Sequence, residues 1–167
     1  ITKCFICNNM EIRIRASQKS DMVSVHKLIT ELAVFENEAD AVKVTVADLE
    51  KDGFGDHPLF HCFVAEVDEK VVGIALVYPR YSTWSGPVVH LEDLIVSEAL
   101  RGKGVGSKLL EAVVRYGYQQ GVKRISWEVL DWNEPAITFY ENKGAKVLRD
   151  WDVVQLDEEG IQKFLGL

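Results

Sequence analysis

The segment Arg101-Gly102-Lys103-Gly104-Val105-Gly106-Ser107 sets two cations among three glycines, directly before an amphipathic stretch. Small residues let backbone amides converge at a helix start, where the partial positive charge of the helix adds to Arg101 and Lys103. That arrangement suits a pyrophosphate. The same residues also describe a glycine-containing tight turn with solvated basic side chains, and the segment alone admits both readings. It matches neither the dinucleotide fingerprint G-x-G-x-x-G nor the P-loop G-x-x-x-x-G-K-S/T. Just upstream, "HLEDLIV" (90–96) carries the adjacent carboxylates Glu92 and Asp93 on a strand that feeds the turn. Strict alternation sends one of the two to each face of a sheet.

Positioning these groups requires a particular run of elements. "EIRIRA" (11–16) alternates polar and apolar, as a half-buried strand does. Ser20 can cap a helix to about Phe35, with Val25, Leu28, Ile29, Leu32 and Phe35 on one face. Thr45 can cap a short helix, "VADLEKD", stopped by Gly53. "LFHCFVAEV" (59–67) and "KVVGIALVYPRYS" (70–82) flank the turn Asp68-Glu69 and read as a hairpin. "VVHLEDLIVS" (88–97) is a fourth strand. A helix over 104–120 buries Val105, Leu109, Leu110, Val113, Val114 and Tyr116 or Gly117. "RISWEVL" (124–130) is a fifth strand, parallel to the fourth because a helix joins them. "PAITFYENKGA" is a helix with Pro135 in its first turn and Gly144 at its stop. "WDVVQL" (151–156) reads as a last strand and "EEGIQKFL" as a terminal helical turn. The expected fold is a mixed α/β sheet with helices on both faces.

The 167 residues carry a net charge of −7, and nothing basic clusters beyond the neighbourhood of Arg101. That argues against nucleic acid or an anionic membrane as partner and suits a cationic or small neutral substrate. The apolar runs are too short to span a bilayer, and the opening residues lack a secretory-signal pattern, so a cytoplasmic protein is expected. Cys4 and Cys7 form a lone C-x-x-C without a second metal-binding half, and Cys62 reads as a small buried residue. His57, His61 and His90 are not spaced as a metal site; His90 can face a substrate cleft. Residues 1–9 read as an upstream extension or an expression remnant, and residues 10–167 as one domain.

The pattern R-x-x-G-x-G, after an apolar strand and opening an amphipathic helix, resembles the acetyl-CoA motif of the GNAT superfamily of N-acetyltransferases. "DWNEPAITFYENKGA" (131–145) resembles that superfamily's next motif, and the element order matches over 11–156. "LITELAVFENE" (28–38), "LEKDGFGDHPLFHCFVAEV" (49–67), "HLEDLIV" and "WNEPAITFYENKGA" bring the resemblance closer still to the diamine (spermidine/spermine) acetyltransferases.

The resemblance implies a mostly antiparallel twisted sheet with a splayed parallel strand pair at the cofactor site. It implies acetyl-CoA as co-substrate, held by Leu94, Ile95, Val96, residues 101–107 and Asn133; Lys143 either touches the phosphates or is merely solvated. It implies Glu92 as proton acceptor through a water, Tyr140 as proton donor to the leaving thiolate, and Glu36, Trp84, Asp93 and Trp151 around the amine. No metal is implied, and a homodimer is expected, with the C-terminal strand helping to form the interface. Where diamine enzymes carry an acidic residue before a Pro-Trp pair, this chain reads Ser82-Thr83-Trp84, which makes a smaller amine plausible. The expected activity is acetyl transfer to a primary amine of a polyamine, diamine or thialysine-like amino acid, by direct attack in a ternary complex. The alternatives are a protein or peptide N-terminal acetyltransferase and a non-catalytic acyl-CoA sensor.

Overall fold

A computed structural model describes residues 10–167, so the Cys4–Cys7 pair and the reading of residues 1–9 lie outside the described residues. The chain divides into two compact units, ending and beginning at Glu128 and Val129.

The first unit is built on a five-stranded sheet in the order β1-β2-β3-β4-β5. Its strands are β1 (Arg13–Ala16), β2 (His61–Val67), β3 (Lys70–Ser82), β4 (Gly86–Val96) and β5 (Arg124–Ser126). Neighbours pair antiparallel except β4 and β5, which run parallel. The two-residue turn between β2 and β3 has positive φ at both Asp68 and Glu69, the type I′ geometry whose twist suits a hairpin.

Helices α1 (Met22–Phe35) and α2 (Val46–Phe54) cover one face. Met22, Val25 and Leu28 of α1 and Leu49 of α2 join Cys62, Val64, Ile74, Leu76 and Ile95 of the sheet in one buried cluster. Helix α3 (Val105–Gln119) covers the other face, where Tyr116 stacks on His61 at 5.1 Å and meets Phe63 edge-on. Alternation along β2 puts Cys62 and Val64 on one side and His61 and Phe63 on the other, so both faces are closed. A Cβ at Gly117 would sit 2.8 Å from the Ile125 side chain, so this glycine lets α3 approach β5.

Several boundaries differ from the sequence expectation. Ser20 lies inside a 3-10 turn (Lys19–Asp21) rather than at a cap; the Asp21 carboxylate accepts from the Gln18 amide instead. Thr45 caps α2 as expected, accepting from the Asp48 amide, but the helix runs through Gly53 to Phe54. Val114 is exposed, because it falls off the stripe formed by Leu109, Leu110, Val113 and Gly117. Strand β5 is three residues long instead of spanning 124–130.

The second unit contains α4 (Glu134–Glu141) and α5 (Glu158–Leu165). Residues 151–156, expected as a strand, are irregular. Their alternating pattern has no ladder to join, since this unit holds no strand among the described residues. Among the described residues no helix is long and apolar enough to cross a membrane.

Candidate active site

The register of β4 against β3 shifts at one place. Asp93 lies opposite Leu76 and Leu91 opposite Val77, which leaves Glu92 as the extra residue of a β-bulge. A bulge bends its strand and re-aims a side chain. Here it also overturns the expectation that Glu92 and Asp93 take opposite faces. Residues opposite one another in register share a face. His90 pairs with Tyr78 and Asp93 with Leu76, and both partners belong to the α1 side of the sheet. A spacing of three would be impossible in a regular strand. The bulge therefore gathers His90, Glu92 and Asp93 along one side.

The surroundings of these groups are anionic. Asp93 is half-buried, and its pKa is pushed up to about 6 by burial, then by the charges of Glu92 and of Glu36 at the end of α1. Burial, with repulsion from Glu38, also raises the Glu36 carboxyl. Glu92 itself is exposed and lies 3.6 Å from Nε2 of His90; burial, and then the neighbouring Glu92 carboxylate, raise the Tyr78 phenol. Nδ1 of His90 is 3.3 Å from the Ser126 hydroxyl on β5. Tyr78 and Ser126 were not foreseen from the sequence; only the strand register shows that Ser126 sits opposite His90.

Beyond His90↔Ser126 the ladder of β4 and β5 ends, so residues 91–96 run on past it. The bend at Glu92 accounts for this: a strand turned at residue 92 leaves its straight neighbour. Past that point the Leu94–Val96 stretch has no β5 partner, and an extended ligand could pair there as an added strand would.

The strand leads through a 3-10 turn (Glu98–Leu100) into residues 101–107. Gly102 and Gly104 have φ of +72° and +86°, and a Cβ at either would meet nothing within 4 Å. Both are therefore needed for backbone conformation rather than for space within the protein. The first helical bond of α3 runs from the Lys108 amide to the Gly104 carbonyl, so the amides of Val105, Gly106 and Ser107 form the open first turn. A phosphate fits that donor set. Lys103 is exposed. Arg101 has a second employment: its Nε donates to the Val96 carbonyl at 3.1 Å and its guanidinium lies 5.2 Å over the Phe35 ring. Trp84 stands almost fully exposed in the turn between β3 and β4.

In the second unit Asn133 is the N-cap of α4, its side-chain oxygen accepting from the Ala136 amide. Tyr140 is buried on α4 beside Phe139, and burial pushes its phenol up to about 12. Lys143 lies exposed, 6.0 Å over the Phe139 ring. Trp151 is exposed. Among the described residues no group of three or more His, Cys, Asp or Glu could hold a metal ion.

Known proteins resemble this arrangement over nearly its whole length. Thialysine N-epsilon-acetyltransferase of Mus musculus is 36% identical over 165 residues, covering 92% of this chain and 97% of that protein. The Sus scrofa enzyme of the same name is 34% identical and covers 93% and 98%. The human spermidine/spermine N(1)-acetyltransferase-like protein 1 is 35% identical over 88% of this chain, which corresponds to 23% of that longer protein. Among solved structures, an integron cassette protein from the V. cholerae mobile metagenome superposes with a TM-score of 0.76 at 23% identity, covering 94% of this chain and 99% of the other. The aminoglycoside N-acetyltransferase AAC(6')-Iy, determined in complex with CoA, gives 0.72 at 22% identity over 90% and 97%. The pattern of the Acetyltransferase (GNAT) family matches residues 24–145, from α1 to the end of the segment after α4. A bulged β4, an open-turned α3 and a family match spanning both make this chain a member of the GNAT acetyltransferase family and an N-acetyltransferase.

Proposed function

We propose that the protein transfers the acetyl group of acetyl-CoA to a primary amine of a small cationic substrate, by direct attack within a ternary complex. The observation that carries this reading is the bulge at Glu92, which sets a carboxylate beside Asp93 and Glu36, one strand-length from the glycine turn. An alkylammonium has a pKa of about 10, so it must lose a proton before it can attack. Glu92 is the acceptor: the ammonium N–H breaks and a carboxyl O–H forms. The amine nitrogen then bonds to the thioester carbon and sheds its second surplus proton to water, the carbon–sulfur bond breaks, and the departing thiolate takes a proton from Tyr140, whose phenolate is reprotonated from water. A phenol raised to about 12 is fully protonated at neutral pH, and dry surroundings that raise it raise a thiol as well.

In this reading the amides at the start of α3, with Lys103 and Lys143, meet the CoA phosphates. Arg101 ties the turn to β4, and Leu94, Ile95, Val96 and Asn133 receive the pantetheine arm. Glu36, Asp93, Trp84 and Trp151 receive the amine, and the acidic net charge of the chain favours a cation. Ser82-Thr83 ahead of Trp84 offers no anion for a distant second ammonium, which favours a short diamine or a thialysine-like amino acid. The names of the mouse and pig relatives point the same way. The enzyme acts in the cytoplasm as a homodimer.

Thiol release from acetyl-CoA with a panel of thialysine, ornithine-like amino acids, diamines, polyamines and peptide amines tests this. Release with the small amines and none with peptides is expected. Binding of CoA with no transfer to any amine would instead identify a sensor. Tyr140→Phe should lower kcat by about ten- to a hundredfold while leaving CoA affinity within about twofold.

A further inference from the structure

His90 is buried, 6% exposed, and its ring meets groups from three strands. The Tyr78 ring of β3 lies 5.0 Å away, the Ser126 hydroxyl of β5 sits 3.3 Å from Nδ1, and Glu92 Oε2 on β4 sits 3.6 Å from Nε2. These distances fix the tautomer. A bare Nε2 would turn its lone pair toward a carboxylate oxygen, which also offers only lone pairs. Nε2 therefore carries the hydrogen, Nδ1 is the acceptor, and the Ser126 hydroxyl donates to it. Burial lowers the pKa of His90, the Glu92 charge opposes this, Arg80 on β3 lowers it further, and Glu128 beyond β5 raises it. The imidazole is neutral at pH 7.

We infer that His90 is a positioning residue for Glu92: clamped by Ser126, its Nε2–H dipole orients the bulged carboxylate toward an incoming ammonium. At 3.6 Å the imidazole does not make a full hydrogen bond to Oε2, so it orients the carboxylate without occupying it. It keeps its own proton throughout the reaction. Below its pKa a second proton makes His90 a cation beside Glu92, which then competes with the ammonium for the carboxylate and repels a cationic substrate. The acid limb of activity thus contains a His90 ionisation. This inference rests on Glu92 being the proton acceptor.

Turnover of His90→Phe, His90→Gln and Ser126→Ala against pH, with imidazole nitrogen NMR of the unaltered protein and of Ser126→Ala, tests it. His90→Phe should lower kcat about tenfold with KM for acetyl-CoA unchanged, because a carboxylate free to rotate is misaimed. His90→Gln, whose amide N–H can replace Nε2–H, should recover most of kcat, while its acid limb moves to lower pH. The nitrogen spectrum of the unaltered protein should show the Nε2–H form, and Ser126→Ala should turn it into a mixture. Wild-type kcat and an unmoved acid limb in both His90 variants would overturn the inference, as would an Nδ1–H tautomer. Should the His90 variants fail to fold, the tautomer and the Ser126→Ala spectrum still decide. Full turnover in Glu92→Gln would instead sink the proposed role of Glu92. Loss of turnover there, with His90→Phe unimpaired, sinks the positioning role alone.

Discussion

Two charge clusters on the first unit solve the same problem in opposite ways. At one edge of the sheet, Arg15 of β1 reaches both Asp21 and Glu66 of β2, and its guanidinium holds both carboxyls below their usual range. At the other, burial and the charges of Glu92 and Glu36 raise Asp93, and none of the ion pairs among the described residues joins Glu36 or Asp93 to a cation. The first cluster supplies its own counter-charge and serves stability. The second is left anionic, a cost in stability that the proposed binding of a cationic amine would offset. Function is drawn from the cluster that folding leaves unsatisfied.

The largest effect expected from breaking this contrast is on turnover. Glu92→Gln preserves shape and removes the proposed proton acceptor, so kcat/KM should fall by about a hundredfold or more, with an unchanged circular dichroism spectrum and melting temperature. The converse is Arg15→Met. Removing one partner from a fully buried pair costs about 3–5 kcal/mol, and with the Arg15 side chain 21% exposed the cost should be nearer about 2 kcal/mol. It should show as a lower urea midpoint, with kcat in the folded protein within about twofold of wild type. If Arg15→Met abolished turnover at full stability, or Glu92→Gln unfolded the protein, the division between the clusters would be false.

How much of this could be read in the chain follows from how local each cause is. The Thr45 cap, the Asp68-Glu69 turn, the stripe on α3 apart from Val114 and the Gly102–Gly104 turn are encoded within a few residues, and each was legible. Glu92 and Asp93 could be singled out as a pair. Their joint placement on one side could not, because a bulge is a property of two strands in register and the adjacent residues carry no mark of it. The truncation of β5, the pairing of His90 with Ser126 and the triad of Arg15, Asp21 and Glu66 share that origin; Arg15 and Glu66 are 51 residues apart. Residues 151–156 fail in the reverse direction: the alternation is present, and the partner strand that would use it is not in that unit.

The pH dependence sharpens the contrast most, because its sign differs between the clusters. Asp21 has a depressed pKa when folded, so its contribution is present above its unfolded pKa and fades as pH falls through the folded value. Asp93 has a raised one, about 6 against an ordinary 3.8, so folding is favoured while it stays protonated, and that advantage is lost as pH rises through about 6. Denaturation of Asp93→Asn and wild type should therefore give a stability difference that grows from about pH 4 to about pH 6 and is flat above. Its ceiling is on the order of 3 kcal/mol, reduced by solvent screening. A cationic amine bound beside Asp93 supplies the missing counter-charge and favours the ionised form. At pH 6 its binding should release protons, seen as a dependence of the calorimetric heat on the buffer's ionisation enthalpy. In Asp93→Asn that dependence should shrink; if it persists undiminished, Asp93 is not where the amine's charge is received.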